Sequence, residues 1–163
     1  MSKKDKTVKT NAIRLIEQEQ LDYELIQYAI DDDLIDGVSV AQKTKQQVET
    51  VFKTLVTQGA DRVIYIFILP VAEELDLKKA AKAANVKKIE LLPLDQLTKV
   101  TGYIRGGCSP VGMKKLYPTF IDESAKKRDH IIVSAGKPGL QMKVKSNELQ
   151  RMIAAEFVEL TIS

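Results

Sequence analysis

Apolar and polar positions alternate in some stretches of this chain, recur every three or four residues in others, and run together in one. The unbroken run is residues 62–69, Arg-Val-Ile-Tyr-Ile-Phe-Ile-Leu. An apolar run of that length, β-branched and aromatic, predicts a central strand covered on both faces. Residues 49–57 have a similar composition and precede it across Gln58-Gly-Ala-Asp61, so the two predict a hairpin. Residues 22–28 alternate, with Tyr23 and Leu25 on one face and Glu24, Ile26 and Tyr28 on the other. That spacing predicts a further strand.

Helical spacing is clearest in residues 75–85, where Leu77, Ala80, Ala81 and Ala84 form one apolar stripe. Asp76 is placed to cap its start and Asn85 its end. A second helix is expected from Thr10 onward, with Ala12, Leu15 and Ile16 on one side and Thr10 or Asn11 as cap. A third is expected from a capping Ser146 to about Ala155, burying Leu149, Met152 and Ile153. Shorter helical segments are expected at 38–43 and at 93–99, where Pro93 suits a first turn. Asp31-Asp-Asp33 and Asp36-Gly37 mark a loop, and 122–126 a turn. Strands are expected at 87–91, 115–121, 130–134, 140–144 and 157–162, with Pro138-Gly139 suited to a tight turn. Pro118 argues that its strand lies at an edge or a bulge.

This order mixes hairpins with helical crossovers. It predicts an α+β domain with a mixed, barrel-like β-sheet flanked by helices, without Rossmann alternation. Residues 1–9 are expected to be a disordered basic tail, and 10–163 a single domain.

Composition narrows the classes of function. Hydrophobic residues make up 44% of the 163 and charged residues 29%, as in ordinary soluble domains. No apolar run is long enough to span a membrane, and the polar Met1-Ser-Lys-Lys-Asp-Lys start is not that of a signal peptide. The single cysteine, Cys108, excludes an intrachain disulfide and fits a reducing cytoplasm. One histidine and one cysteine cannot build a typical zinc site, so no metal is expected. Charge is unevenly spread. Residues 1–36 carry five Lys/Arg against nine Asp/Glu, whereas 75–145 carry fifteen against six. The basic half suits a polyanionic partner, or is a solvated lysine-rich surface.

Two features carry candidate chemistry. Residues 101–112 hold four of the eight glycines, with Pro110 after Gly106-Gly107. Such a loop can aim backbone N–H groups at one oxygen, or be a tight turn without a ligand. Lys53 interrupts a strand that is apolar on both sides. It must run out to water or sit in a pocket, where it could meet developing negative charge. Competing motifs fail. Cys108 and His130 have no hydrolase signature around them, Ser109 lacks the glycine that a nucleophile elbow needs at Val111, and no Gly-Lys-Ser/Thr completes a phosphate loop.

Five segments occur in order: Val51-Phe-Lys-Thr-Leu55, Leu75-Asp-Leu-Lys-Lys79, Thr101-Gly-Tyr103 with Gly106-Gly-Cys-Ser-Pro110, Pro118-Thr-Phe-Ile-Asp122, and Ser134-Ala-Gly-Lys137. Together they resemble the YbaK/EbsC family of trans-editing aminoacyl-tRNA deacylases, related to the editing insertion of bacterial prolyl-tRNA synthetases. The resemblance spans residues 10–160. It implies a barrel-like mixed sheet flanked by helices, and release of a wrongly attached amino acid, chiefly cysteine from Cys-tRNA(Pro), with Cys-tRNA(Cys) left open as a second substrate. It implies Lys53 as the critical residue. Tyr28, Gly106, Gly107, Ser109, Pro110, Ser134, Gly136 and Gln141 are the implied substrate-binding positions. Many relatives have aspartate where this chain has Gln141, so a carboxylate role there is not implied for it.

The chemistry calls for no cofactor, because a cysteine substrate carries its own nucleophile. Lys78, Lys79, Lys82, Lys114 and Lys115 would meet tRNA phosphates. The expected partners are aminoacylated tRNA and, transiently, prolyl-tRNA synthetase, in the cytoplasm, with neither DNA nor membrane involved. Within the same fold, a water-using deacylase for another amino acid such as alanine stays open, as does a non-catalytic binding protein.

Overall fold

The computed structural model describes residues 9–32, 34 and 36–162. All of the expected basic tail except Lys9 lies outside the described residues, as does Asp33. The architecture is α+β. Five α-helices and eight strands among the described residues form two sheets that do not close into a barrel.

The larger sheet has the order β4-β2-β3-β5-β8, from β2 (Phe52–Gly59), β3 (Ile64–Pro70), β4 (Ile89–Leu91), β5 (Thr119–Asp122) and β8 (Glu156–Val158). β2 and β3 form the expected antiparallel hairpin, with Lys53 opposite Leu69 and Thr57 opposite Tyr65. β3 lies at the centre, and its residues Tyr65 to Leu69 are buried. The smaller sheet has the order β1-β7-β6, from β1 (Tyr23–Gln27), β6 (His130–Lys137) and β7 (Leu140–Lys145). An isolated parallel bridge, Val51 to Ile132, ties the two sheets together.

The main core fills the space between the sheets. Phe52, Val56, Ile66 and Ile68 meet Ile131, Val133, Met142 and Val144 there, with Ala12, Ile13 and Ile16 of α1 (Asn11–Gln18) and Leu149 of α5 (Ser146–Met152). Shortening a fully buried residue such as Ile68 to alanine would cost about 2–5 kcal/mol. On the far face of the larger sheet, Ala80 and Ala81 of α3 (Leu77–Ala84) cover Tyr65, Phe67 and Phe120. α2 (Gly37–Lys43) and α4 (Leu97–Thr101) flank the cleft-forming loops. Of the expected caps, Thr10 and Asp76 each accept a backbone N–H at a helix start and Asn85 ends α3 in the left-handed region; Asp36, expected only as part of a loop, caps α2 in the same way.

Several expectations are corrected. The strand expected at 49–57 begins at Phe52, because residues 48–50 turn instead: the N–H and hydroxyl of Thr50 both donate to the Gln47 carbonyl, at 2.9 and 2.7 Å. A threonine hydroxyl that takes a local carbonyl competes with a strand ladder. The same strand extends to Gly59, where β4 pairs with it. The strand expected at 115–121 is β5 alone. It is interior, parallel to both β3 and β8, and Pro118 stands just outside it with its carbonyl accepting from Ile66 N–H at 2.9 Å. Leu77 is exposed, so the buried stripe of α3 rests on its alanines. Ser146 does not cap α5: its hydroxyl donates to the Arg128 carbonyl at 2.8 Å. The segment expected as a strand at 157–162 is β8 followed by an isolated bridge from Thr161 to Leu75.

Candidate active site

A cleft of about 170 Å³ opens where the start of β2 meets the middle of the β6–β7 hairpin. Consecutive β2 residues Phe52, Lys53 and Thr54 line it, so it takes in the end of the strand and not one of its faces. Ser134 and Gln141, directly opposite each other in the β6–β7 register, form another wall. Tyr28, Gly37, Val40, Val71, Gly106 and Cys108 complete the lining. No carboxylate is among these lining residues.

Lys53 is half-buried, and its Nζ donates one long hydrogen bond, 3.4 Å, to the Val71 carbonyl. Burial lowers its pKa below the ordinary lysine value, against the opposing pull of Glu74 and Glu73. Two polar atoms beside it have no partner: Thr54 Oγ1 and Gln141 Oε1 are buried and make no hydrogen bond. Buried polar atoms are nearly always satisfied, so an unsatisfied pair on two residues that line one cleft is unusual.

The glycine loop is held close to this cleft. A Cβ on Gly107 would stand 2.6 Å from Lys137 Cα, so only glycine lets the loop lie against the β6–β7 turn. Gly106 has a φ of +83°. The Gly107 N–H is already given to the Ile104 carbonyl at 3.0 Å. The N–H groups of Gly106 and Cys108 have no hydrogen-bond partner among the described residues.

Five of the sequence-predicted positions therefore come together: Tyr28, Lys53, Gly106, Ser134 and Gln141. Gly107, Ser109, Pro110 and Gly136 do not line the cleft. Ser109 is fully buried, its Oγ accepting from Val111 N–H at 3.2 Å. Pro110 lines a separate groove together with Lys114 and Lys115. Gly136, at φ +110°, donates its N–H to Ser134 Oγ and fixes that side chain. Lys78 and Lys82 are exposed on α3, whereas Lys79 is taken by Glu159 at 2.8 Å and by the Thr161 carbonyl at 2.7 Å. Sequence reasoning did not single out Thr54 or Cys108 as lining residues. The signal for Thr54 was its place next to Lys53.

Burial pushes the Cys108 thiol up to about 11, opposed by a hydrogen bond with Thr101, so the thiolate is scarce near neutrality. Among the described residues, no group of three or more His, Cys, Asp or Glu could hold a metal ion. No helix among them is long and apolar enough to cross a membrane.

Fold and cleft together define a class: a small α+β domain in which a half-buried lysine and a glycine loop line one cleft. The family model described as the aminoacyl-tRNA editing domain matches residues 35–152, and the chain belongs to this family. It is 43% identical to "Putative Cys-tRNA(Pro)/Cys-tRNA(Cys) deacylase EbsC" of Enterococcus faecalis, over 99% of this chain and 98% of that one. Among solved structures, it superimposes with a TM-score of 0.83 on "a putative trans-editing enzyme for prolyl tRNA synthetase", at 20% identity, covering 96% of this chain and all of the other. A hypothetical protein matches with a TM-score of 0.85 at 16% identity, over 94% of this chain and all of the other. At these identities the two structures speak for the fold alone.

Proposed function

We propose that this protein is an aminoacyl-tRNA deacylase acting in trans, and that it removes cysteine from Cys-tRNA(Pro). The observation that carries the reading is the cleft itself. It is lined by Lys53, by two residues with unsatisfied polar atoms and by two glycine-loop residues with unpaired backbone N–H groups, and its one thiol is kept protonated by burial. Family membership supports the reaction class, and the name of the 43% identical relative supports the substrate.

The reaction needs little from the protein. The substrate's own thiol attacks the ester carbonyl, forming a C–S bond. The carbonyl carbon's bond to the ribose oxygen then breaks, and the thiol proton ends on that oxygen. The product is a thiolactone, which water later opens. The Gly106 and Cys108 N–H groups would hold the oxyanion, and Lys53 would stabilise negative charge on the leaving ribose oxygen. Tyr28, Ser134, Thr54 and Gln141 orient the aminoacyl group. The neutral Gln141 amide replaces a carboxylate, so the α-ammonium of the substrate meets an acceptor dipole and no full charge. Selection of tRNA(Pro) would be shared with prolyl-tRNA synthetase in a transient complex in the cytoplasm.

The test is a deacylation time course on cysteinyl-, alanyl- and prolyl-tRNA(Pro), with wild type, Lys53→Ala and Cys108→Ala. The expected result is rapid loss of cysteine alone, abolished by Lys53→Ala and kept within a few-fold by Cys108→Ala. Loss of alanine instead would replace the substrate thiol by a positioned water. No turnover on any substrate would leave a binding protein.

A further inference from the structure

A cleft larger than the one that holds Lys53 lies elsewhere in the described structure. It measures about 470 Å³ and is lined by Lys126, Arg128, Asp129, His130, Lys145, Ser146, Asn147 and Phe157. Three cations and one histidine face a single carboxylate, Asp129. The cations are not consumed internally. The ion pairs among the described residues take Lys9, Lys43, Lys79 and Lys88, and none takes Lys126, Arg128 or Lys145.

The fold sets this cluster in place. His130 and Lys145 are directly opposite in the β6–β7 register. The loop before His130 is pinned to the start of α5, because Ser146 donates its N–H to the Asp129 carbonyl and its hydroxyl to the Arg128 carbonyl. Lys126 lies over the Phe157 ring, 6.0 Å from its centroid, so the cleft also offers an aromatic surface. Cations around an aromatic ring suit a nucleic-acid strand better than an isolated anion, since bases stack where phosphates pair.

The relation to the Lys53 cleft is fixed by the two strands. Ser134 and Gln141 are opposite each other, and so are His130 and Lys145, four residues further along the same face. Four residues of strand measure about 13 Å. A stacked strand advances about 3.4 Å per nucleotide, so this is roughly four nucleotides. Lys143 lies between the two pairs, with Glu24 across from it on β1.

We propose that the Lys126–Arg128–Lys145 cleft binds the phosphates of the RNA strand about four nucleotides before the esterified 3′ end. The inference rests on the deacylase reading above. It moves the main RNA contact from the lysines of α3, one of which is internally paired, to the far end of the β6–β7 hairpin.

The test measures binding of uncharged tRNA(Pro) by fluorescence anisotropy against salt, so it does not depend on turnover. Lys126→Ala/Lys145→Ala is compared with Lys87→Ala/Lys88→Ala, which removes the same charge elsewhere. Removing two phosphate contacts should weaken binding about tenfold and reduce the slope of log affinity on log salt by roughly 1.4–1.8. Lys126→Arg/Lys145→Arg should restore binding, and in deacylation the alanine pair should raise KM with kcat kept. On unmutated protein, tRNA should protect Lys126 and Lys145 from acetylation and leave Lys87 and Lys88 reactive, which reads the site even if a variant misfolds. Equal affinity and slope in both alanine pairs, or no protection at Lys126 and Lys145, would overturn the proposal while leaving a measured deacylase activity intact. RNA binding with these signatures but no turnover would sink the deacylase reading and keep the cleft.

Discussion

Asp122 and Gln141 are both polar residues inside the protein, 4% and 7% exposed, yet they sit there on opposite terms. Asp122 ends β5, and its two oxygens accept from Leu160 N–H at 2.9 Å and Ser124 N–H at 3.1 Å. It ties the end of one strand to the chain beyond β8. Gln141 is the second residue of β7, and its Oε1 is unpartnered, as is Oγ1 of Thr54 in the same cleft. Two other buried atoms, Ser124 Oγ and Glu148 Oε1, are also unpartnered, but they line none of the clefts described above. Burial of a polar group thus teaches little by itself. What sets Gln141 and Thr54 apart is an unanswered hydrogen bond on a residue that lines a cleft.

The sharpest way to break this contrast is to remove Lys53, the charged member of the unsatisfied group. Lys53→Met should lower deacylation by about 100- to 1000-fold, the size of a lost charge-stabilising contact. The folded protein should not suffer. Burial depresses the Lys53 pKa, so the charged form is disfavoured in the folded state. That penalty is present below the folded pKa and is relieved as pH rises through it toward the unfolded value of 10.5. Lys53→Met should therefore leave thermal stability at pH 7 equal or slightly higher, and flatten its rise at alkaline pH. A clear loss of Tm would place Lys53 with Asp122 instead. If the protonated amine is the active form, wild-type turnover should also fall at high pH from below the ordinary lysine range, a limb absent from the residual activity of the variant.

The converse holds for Asp122. Asp122→Ala leaves two buried N–H groups without acceptors and should cost about 2–4 kcal/mol, measured as a shift in urea midpoint. The fraction that stays folded should deacylate at the wild-type rate. A kinetic defect at full folding would show that the far end of the larger sheet communicates with the cleft.

Much of this division was legible in the sequence, and what was missed has physical causes. The β2–β3 hairpin and α3 follow from local spacing, and Lys53 stands out because a lysine contradicts the strand around it. Thr54 does not stand out, because threonine is an ordinary strand residue and only the partners around it decide its role. The spare charge of Lys79 was misleading for a similar reason: Glu159, which neutralises it, is eighty positions away in the chain. The basic half was visible as a total, but the meeting of Lys126 with Lys145 depends on β6 and β7 pairing. The interior place of β5 depends on β8, a three-residue strand with little periodicity to display.

One substitution made twice sharpens the contrast most finely. Thr54 and Thr57 lie three residues apart on β2 and so on opposite faces. Thr57 is fully buried, and its hydroxyl donates to the Tyr65 carbonyl at 2.8 Å. Exchanging threonine for valine keeps the shape and replaces only the hydroxyl. At Thr57 the exchange removes a made hydrogen bond and should destabilise by about 1 kcal/mol. At Thr54 it removes a buried hydroxyl that has no bond to lose, and should stabilise by about 0.5–1 kcal/mol. Urea midpoints at constant m-value measure both. The kinetic signs should run the other way: Thr54→Val raises KM for the charged tRNA, and Thr57→Val leaves it alone. If both exchanges destabilise, Thr54 has an internal partner, and Gln141 is the sole unanswered acceptor in the cleft. If both are neutral, the cleft admits water freely enough to satisfy its walls, and the stabilising cost of an empty site falls on Lys53 alone.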